Sequence, residues 1–210
     1  MPGPWTLLVL RFSSIGDTLH TTSVIGTLKK YFPQSKIDCM ILSKFAPLLE
    51  GHPFINKVHA VDINAGYSQL RQTGFEMEMM EYDLAIDLHN TTRSQVIRWG
   101  LITTNHVHIK KPRWNRFKLF ALHQNDFPNN FTVRTWLHEP IQHLLPENFT
   151  IGQSRLFVSE AEKSGINKLL TGDGLNGKYF VVTPGAAWAQ KRWKAERYAR
   201  VIDQCAKEFN

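Results

Sequence analysis

Two short stretches of this sequence pair reactive side chains with a backbone geometry that can use them. In the first, Arg11-Phe12-Ser13-Ser14-Ile15-Gly16-Asp17-Thr18-Leu19-His20 follows the apolar run Thr6 to Leu10 and leads into a helical pattern. A strand, a glycine-containing loop and a helix start collect anions, because first-turn N–H groups are unpaired and the helix dipole favours negative charge there. Ser13, Ser14 and Gly16 shape that loop and offer backbone donors. Asp17 supplies a carboxylate able to take a proton from a hydroxyl, and His20, one turn on, can orient either group. The same position also suits a plain first-turn acid, which stabilises the helix and whose pKa the dipole lowers. The second stretch, Thr183-Pro184-Gly185-Ala186-Ala187-Trp188-Ala189-Gln190-Lys191-Arg192-Trp193, repeats the layout with cations in place of the acid. Lys191 and Arg192 at a helix start oppose its dipole, so their placement there favours a bound anion.

A third group follows the run Tyr82 to Leu88, whose end delivers Asp87, His89, Asn90, Thr92 and Arg93. Parallel sheets bind ligands at the carboxyl ends of their strands, which makes Asp87, His89 and Arg93 candidate contacts. Asp87 suits a cap on the following turn equally well. Further on, Lys110, Lys111, Arg113, Arg116 and Lys118 alternate with Trp114, Phe117 and Phe120. That mixture fits a phosphorylated, acylated partner, with cations for phosphates and rings for the apolar boundary; a solvated amphipathic helix fits it too.

The elements that must position these groups alternate between strand and helix patterns, which predicts an α/β fold with a parallel sheet and crossover helices. Trp5 to Phe12 reads as a buried strand. Asp17 to Phe32 reads as a helix with Val24, Ile25, Leu28, Tyr31 and Phe32 on one stripe, stopped by Pro33. Ile37–Leu42, Val58–Val61, Tyr82–Leu88 and Val107–Ile109 read as strands, Phe45–Glu50 as a short helix closed by Gly51, and Phe75–Met80 as the packed end of a helix. Ser159 with Glu162 forms a capping box for a helix to about Leu170. The breaker-rich stretch Thr171 to Gly177 follows. These signals divide the chain into an N-terminal domain (1–150), a linker region (151–177) and the start of another domain (178–210). In that last part Tyr179–Thr183 reads as a strand, and its helix carries Tyr198, Val201, Ile202, Cys205 and Phe209. One strand and one helix cannot bury a core alone, so the second domain is expected to be incomplete.

Of the 210 residues 42% are hydrophobic, which argues against disorder, and 25 basic residues against 18 acidic ones give a net charge of +7. An anionic partner is expected, and charge alone does not choose between nucleotide, phosphorylated lipid, membrane and nucleic acid. The two cysteines, Cys39 and Cys205, belong to no CxxC pair, so neither a disulfide framework nor a zinc site is expected. A dinucleotide fingerprint is missing, and no run approaches the roughly 20 apolar residues of a spanning helix. The N-terminal apolar run is about half a signal-peptide core and lacks a basic lead, so a cytoplasmic location is expected.

The three blocks resemble glycosyltransferase family 9, the ADP-heptose:lipopolysaccharide heptosyltransferases. The matching residues are Arg11 to Asp17 with Thr21-Thr22 and Leu28-Lys29-Lys30-Tyr31-Phe32-Pro33, then Tyr82 to His89 with Arg93-Ser94, then Thr183-Pro184-Gly185-Ala186 with Lys191-Arg192-Trp193. The resemblance implies two Rossmann-like domains of the GT-B type, the second incomplete in this chain. It implies an inverting, metal-independent transfer without a cofactor, with Asp17 as general base and Lys191 on the donor diphosphate. A phosphorylated lipid A or inner-core acceptor would then meet Ser13, Ser14, Gly16, His20, Asp87, His89, Arg93, Arg113 and Arg116. An ADP-heptose-type nucleotide-sugar would meet Thr183, Gly185, Lys191 and Arg192, and peripheral contact with the inner membrane is compatible. The family's later acid-Ser/Thr-Gly-x-x-His block and its late acidic residue near the ribose are absent, and Lys194 stands where proline is frequent. Two other readings remain: a truncated, inactive remnant that binds phosphorylated glycolipid, and a basic nucleic-acid-binding protein. No RNP, KH, zinc-finger or helix-turn-helix signature supports the last, so no nucleic-acid partner is expected.

Overall fold

The computed structural model describes residues 5–175, 177, 179–186 and 188–208. Among them β1 (Thr6–Leu10), β2 (Lys36–Leu42), β3 (Lys57–Val61), β4 (Leu84–Asp87) and β5 (Asn105–His108) form one parallel sheet in the order β3-β2-β1-β4-β5. β1 lies at the centre, pairing Leu7 with Ile37 on one side and with Leu84 on the other. Helices α1 (Ile15–Tyr31), α2 (Tyr67–Glu78), α3 (Thr92–Arg98), α4 (Arg113–Ala121) and α5 (Val133–His138) complete a first unit that ends at Ser159. A second unit, from Glu160 onward, contains α6 (Glu160–Gly172) and α7 (Ala195–Glu208).

β1 is apolar at successive positions because helices cover both faces of the sheet. Leu7 and Val9 pack with Val24, Ile25 and Leu28 of α1 and Leu137 of α5. Leu8 and Leu10, and Phe12 beyond the strand, pack with Leu70 of α2 and with Val96 and Ile97 of α3. α2 and α3 approach so closely that a Cβ on Gly74 would lie 2.2 Å from the Ile97 carbonyl oxygen. Because the winding reverses between β1 and β4, the crevice outside their carboxyl ends is the switch point at which such sheets bind ligands. The loops after β1 and β4 are those that carry the candidate residues.

The sequence-based linker divides differently from the structure at its first residues. The Thr150 N–H donates to Tyr31 Oη (2.9 Å), Gly152 N–H to Thr27 Oγ1 (2.8 Å) and Arg155 N–H to Thr22 Oγ1 (2.9 Å). The segment is therefore strapped along α1, whose buried hydroxyls accept backbone donors arriving from outside the helix. A Cβ on Gly152 would meet the Ser23 carbonyl at 2.7 Å, so the strap seats only without a side chain there.

In the second unit α6 follows Ser159, where the capping pattern places it. Tyr179–Thr183 forms no strand, because a parallel strand needs a neighbour to take its hydrogen bonds and no strand lies among the unit's described residues. Tyr198, Val201, Ile202 and Cys205 lie on α7; Phe209, Ala187 and the start of the expected domain at 178 lie outside the described residues. No described residue of this unit is buried. No helix among the described residues is long and apolar enough to cross a membrane.

Candidate functional site

Arg11 ties together the loops at the switch point. It is only 9% exposed, and its guanidinium reaches three chain segments. Nε donates to the Ser13 carbonyl (2.9 Å), Nη1 to the Leu88 carbonyl, and Nη2 pairs with Asp17 Oδ2 at 2.6 Å. A planar cation with five N–H donors suits this bridging between the β1 and β4 loops.

Asp17, on the first turn of α1, also accepts from the Ser14 N–H and the Ser14 hydroxyl, each at 3.2 Å. Burial acts to raise its pKa, but the Arg11 charge and the Ser14 and Arg11 hydrogen bonds outweigh it, so the carboxyl lies below its ordinary value. Its side chain keeps 39% of its surface exposed, which leaves it reachable. Gly16 beside it has nothing within 4 Å of where a Cβ would sit, so the loop is open at that point.

Asp87 is fully buried and shapes the loop after β4. Oδ1 accepts from the His89 and Asn90 N–H groups (2.9 and 2.7 Å), and Oδ2 lies 3.1 Å from Arg98 Nε. Both oxygens are engaged within the protein, so its part is to cap the turn and position its neighbours. Asn90, at φ +43°, completes the turn by donating to the Ile109 carbonyl (2.7 Å). His89 lies against the Phe12 ring at 5.3 Å between centroids. Burial, with the charges of Arg11 and Lys111, pushes its pKa down to about 4, so at neutral pH it is an uncharged imidazole that can both donate and accept.

Cations crowd the far side. Lys111, half-buried after β5, has its pKa lowered by burial, then by the charges of Arg11, Arg113 and Arg116, while Asp87 opposes the shift. Like charges held this close are at an energetic cost that a bound anion relieves. The structure thus gathers Ser13, Ser14, Asp17, Asp87 and His89 around Arg11, with Arg113 and Arg116 acting on the group through Lys111. Arg93 instead sends Nη2 to the Asp62 carbonyl (3.1 Å) beyond β3. His20 remains on α1 with Nδ1 buried and no hydrogen-bond partner.

The cationic stretch of the second unit differs from its expected form. Lys191 ends a 3-10 turn, Ala189–Lys191, and α7 begins only at Ala195. The argument from cations opposing a helix dipole therefore does not apply to Lys191 and Arg192. Arg192 Nε donates to the Ala186 carbonyl (2.8 Å), and Thr183, Gly185, Lys191 and Arg192 are all exposed. Sequence reasoning passed over Arg11, Asn90 and Arg98 as site residues and named Lys111 only among the cations of its stretch. The signal for Arg11 was its place directly before the loop; the others depend on partners distant in the chain. Among the described residues no group of three or more His, Cys, Asp or Glu side chains is arranged to hold a metal ion.

The model of glycosyltransferase family 9 (heptosyltransferase) matches residues 71–208. The chain belongs to this family. It is similar to lipopolysaccharide heptosyltransferase 3 of Escherichia coli K12, with 25% identity over 205 residues, covering 90% of this chain and 56% of the relative. A family 9 glycosyltransferase from Veillonella parvula shares the fold with a TM-score of 0.78 at 18% identity, covering 99% of this chain and 61% of that one. The Escherichia coli heptosyltransferase WaaC, solved with ADP, shares it with a TM-score of 0.59 at 19% identity, over 97% of this chain and 64% of its own. The chain thus spans a little over half the length of the curated family 9 relative and more of the solved ones.

Proposed function

We propose that this protein carries out a family 9 transfer, moving a heptose from an ADP-activated donor onto the inner core of a phosphorylated lipid A acceptor in the cytoplasm. The observation that carries the reading is the Asp17–Arg11 pair at the switch point, beside the cations Lys111, Arg113 and Arg116. The first unit takes the acceptor, its phosphates lying on those cations. Residues of the second unit begin the other Rossmann-like domain of a GT-B arrangement, and Thr183, Gly185, Lys191 and Arg192 take the donor diphosphate. The membership in family 9 and the solved relative with ADP support this choice of donor.

In the transfer, the acceptor hydroxyl oxygen bonds to the anomeric carbon as its proton passes to Asp17. The bond from that carbon to the diphosphate oxygen breaks on the opposite face, which inverts the centre, and Lys191 neutralises the departing charge without a metal. Arg11 adds control. While paired with the guanidinium, Asp17 is a weak base; an acceptor phosphate that draws Arg11 away raises the carboxyl pKa toward the working range. His89, uncharged beside it, accepts or donates a hydrogen bond to the incoming sugar.

The test is Asp17→Asn, assayed for transfer from ADP-heptose to an inner-core acceptor. Transfer falls by about 10²–10⁴-fold while the far-UV spectrum stays that of the wild type. Undiminished turnover in the variant removes Asp17 from the role of base.

A further inference from the structure

Helix α4 turns its aromatic side outward. Its inward side carries Asn115, whose Nδ2 donates to the Asp126 carbonyl (3.1 Å), and Leu119, which lines a cavity with Phe127 and Phe131. The other side presents Trp114, Phe117 and Phe120, at i, i+3 and i+6, which are 63%, 51% and 77% exposed. α4 has no buried residue at all. The rings are nevertheless held: Trp114 stacks on Phe117 at 5.4 Å and 17°, and the Lys118 ammonium lies 5.7 Å from the Trp114 ring. Apolar surface of this kind normally faces a partner.

The charge around the rings says which partner. Lys110, Lys111, Arg113 and Arg116 crowd the same stretch, while Lys118 pairs with Asp126 (2.5 Å), the first acidic residue after Ile109. Rings on one face flanked by cations are what the boundary of an anionic bilayer accommodates: aromatics at headgroup level, ammonium and guanidinium groups on lipid phosphates. Three rings alone bind a membrane weakly, so the cations are a needed second contribution. We propose that α4 is a membrane-docking helix, its Trp114–Phe117–Phe120 face entering the headgroup layer of an anionic phospholipid bilayer. Because α4 (from Arg113) follows closely on the carboxyl end of β5 (His108), docking holds the carboxyl edge of the sheet beside the membrane surface. The inference adds a location to the transfer reading but stands on rings that take no part in the chemistry.

The experiment is co-sedimentation of the full chain with vesicles of phosphatidylglycerol and phosphatidylethanolamine, or of phosphatidylcholine alone, over rising NaCl. The wild type binds the anionic vesicles at least about tenfold more tightly than the zwitterionic ones, and salt weakens that binding. The Trp114→Ala/Phe117→Ala/Phe120→Ala variant keeps its circular dichroism spectrum, since these side chains are exposed, and binds anionic vesicles at least about tenfold more weakly. Three results overturn the proposal: no binding of the wild type to anionic vesicles, equal binding to both lipids, or equal binding by the variant. A ring-dependent dimer in sedimentation velocity that vesicles fail to dissociate overturns it in favour of a second copy. Asp17→Asn binds vesicles as the wild type does, so failure of the transfer reading and failure of this one are seen separately.

Discussion

Asp17 and His89 share one loop pair yet answer pH through different physics. Arg11 holds Asp17 charged, so the stability Asp17 contributes is present at neutral pH and is lost as pH falls through its lowered folded-state value. His89 is held uncharged, first by burial and then by Arg11 and Lys111. As pH drops below about 6.5 the unfolded chain takes up a proton at this residue that the folded protein refuses until about pH 4. Stability therefore falls across that window, and His89→Asn flattens that part of the wild-type curve. Urea midpoints measured for both proteins at several pH values across the window show it, and parallel curves would remove His89 from the account. Asp17 and its loop were readable in the sequence because loop, cap and acid are neighbours in the chain. Arg11 was harder to assign, since the Leu88 carbonyl that anchors it lies 77 positions away. Lys191 shows the opposite failure: its local pattern suggested a helix start, and a 3-10 turn took its place.

Between elements, close approach matters more than the strength of any single pattern. α2 and α3 meet where Gly74 and Gly100 leave room: a Cβ on Gly74 would press on the Ile97 carbonyl, and one on Gly100 would stand 2.6 Å from the Arg71 carbonyl. Gly74→Ala forces the helices apart and costs about 1–3 kcal/mol. Gly26→Ala, in α1 with nothing within 4 Å of its Cβ position, gains about 0.5–1 kcal/mol from helix propensity. Chemical denaturation of the two variants reads opposite signs; equal shifts would show that the Gly74 packing is not limiting. β1, β2 and β4 were visible as apolar runs because strands covered on both faces need apolar residues throughout, whereas the edge strands β3 and β5 carry more polar residues and are only partly buried. Tyr179–Thr183 has such a run and still forms no strand, since periodicity cannot report whether a neighbour exists to pair with it. The strap from Thr150 to Arg155 was hidden for a related reason. Its partners are hydroxyls on α1, and Thr22 and Thr27 look like unremarkable helix residues until the segment lies across them.

Across the molecule, burial is unevenly shared. The first unit carries both apolar clusters, and among the described residues of the second none is buried. Amides of α6 and α7 are therefore expected to exchange with deuterium near the rates of local fraying, while those of β1 exchange only on global unfolding. Mass spectrometry over a time course resolves the two classes; equal protection would show that the second unit has a core of its own. The central place of β1 also bears on how the molecule is made. Leu7 leaves the ribosome 77 residues before its partner Leu84 in β4. The middle of the sheet stays open during that interval, its apolar strand available to chaperones or to another nascent chain. Refolding from denaturant should accordingly be slow for the chain's size and lose yield as concentration rises.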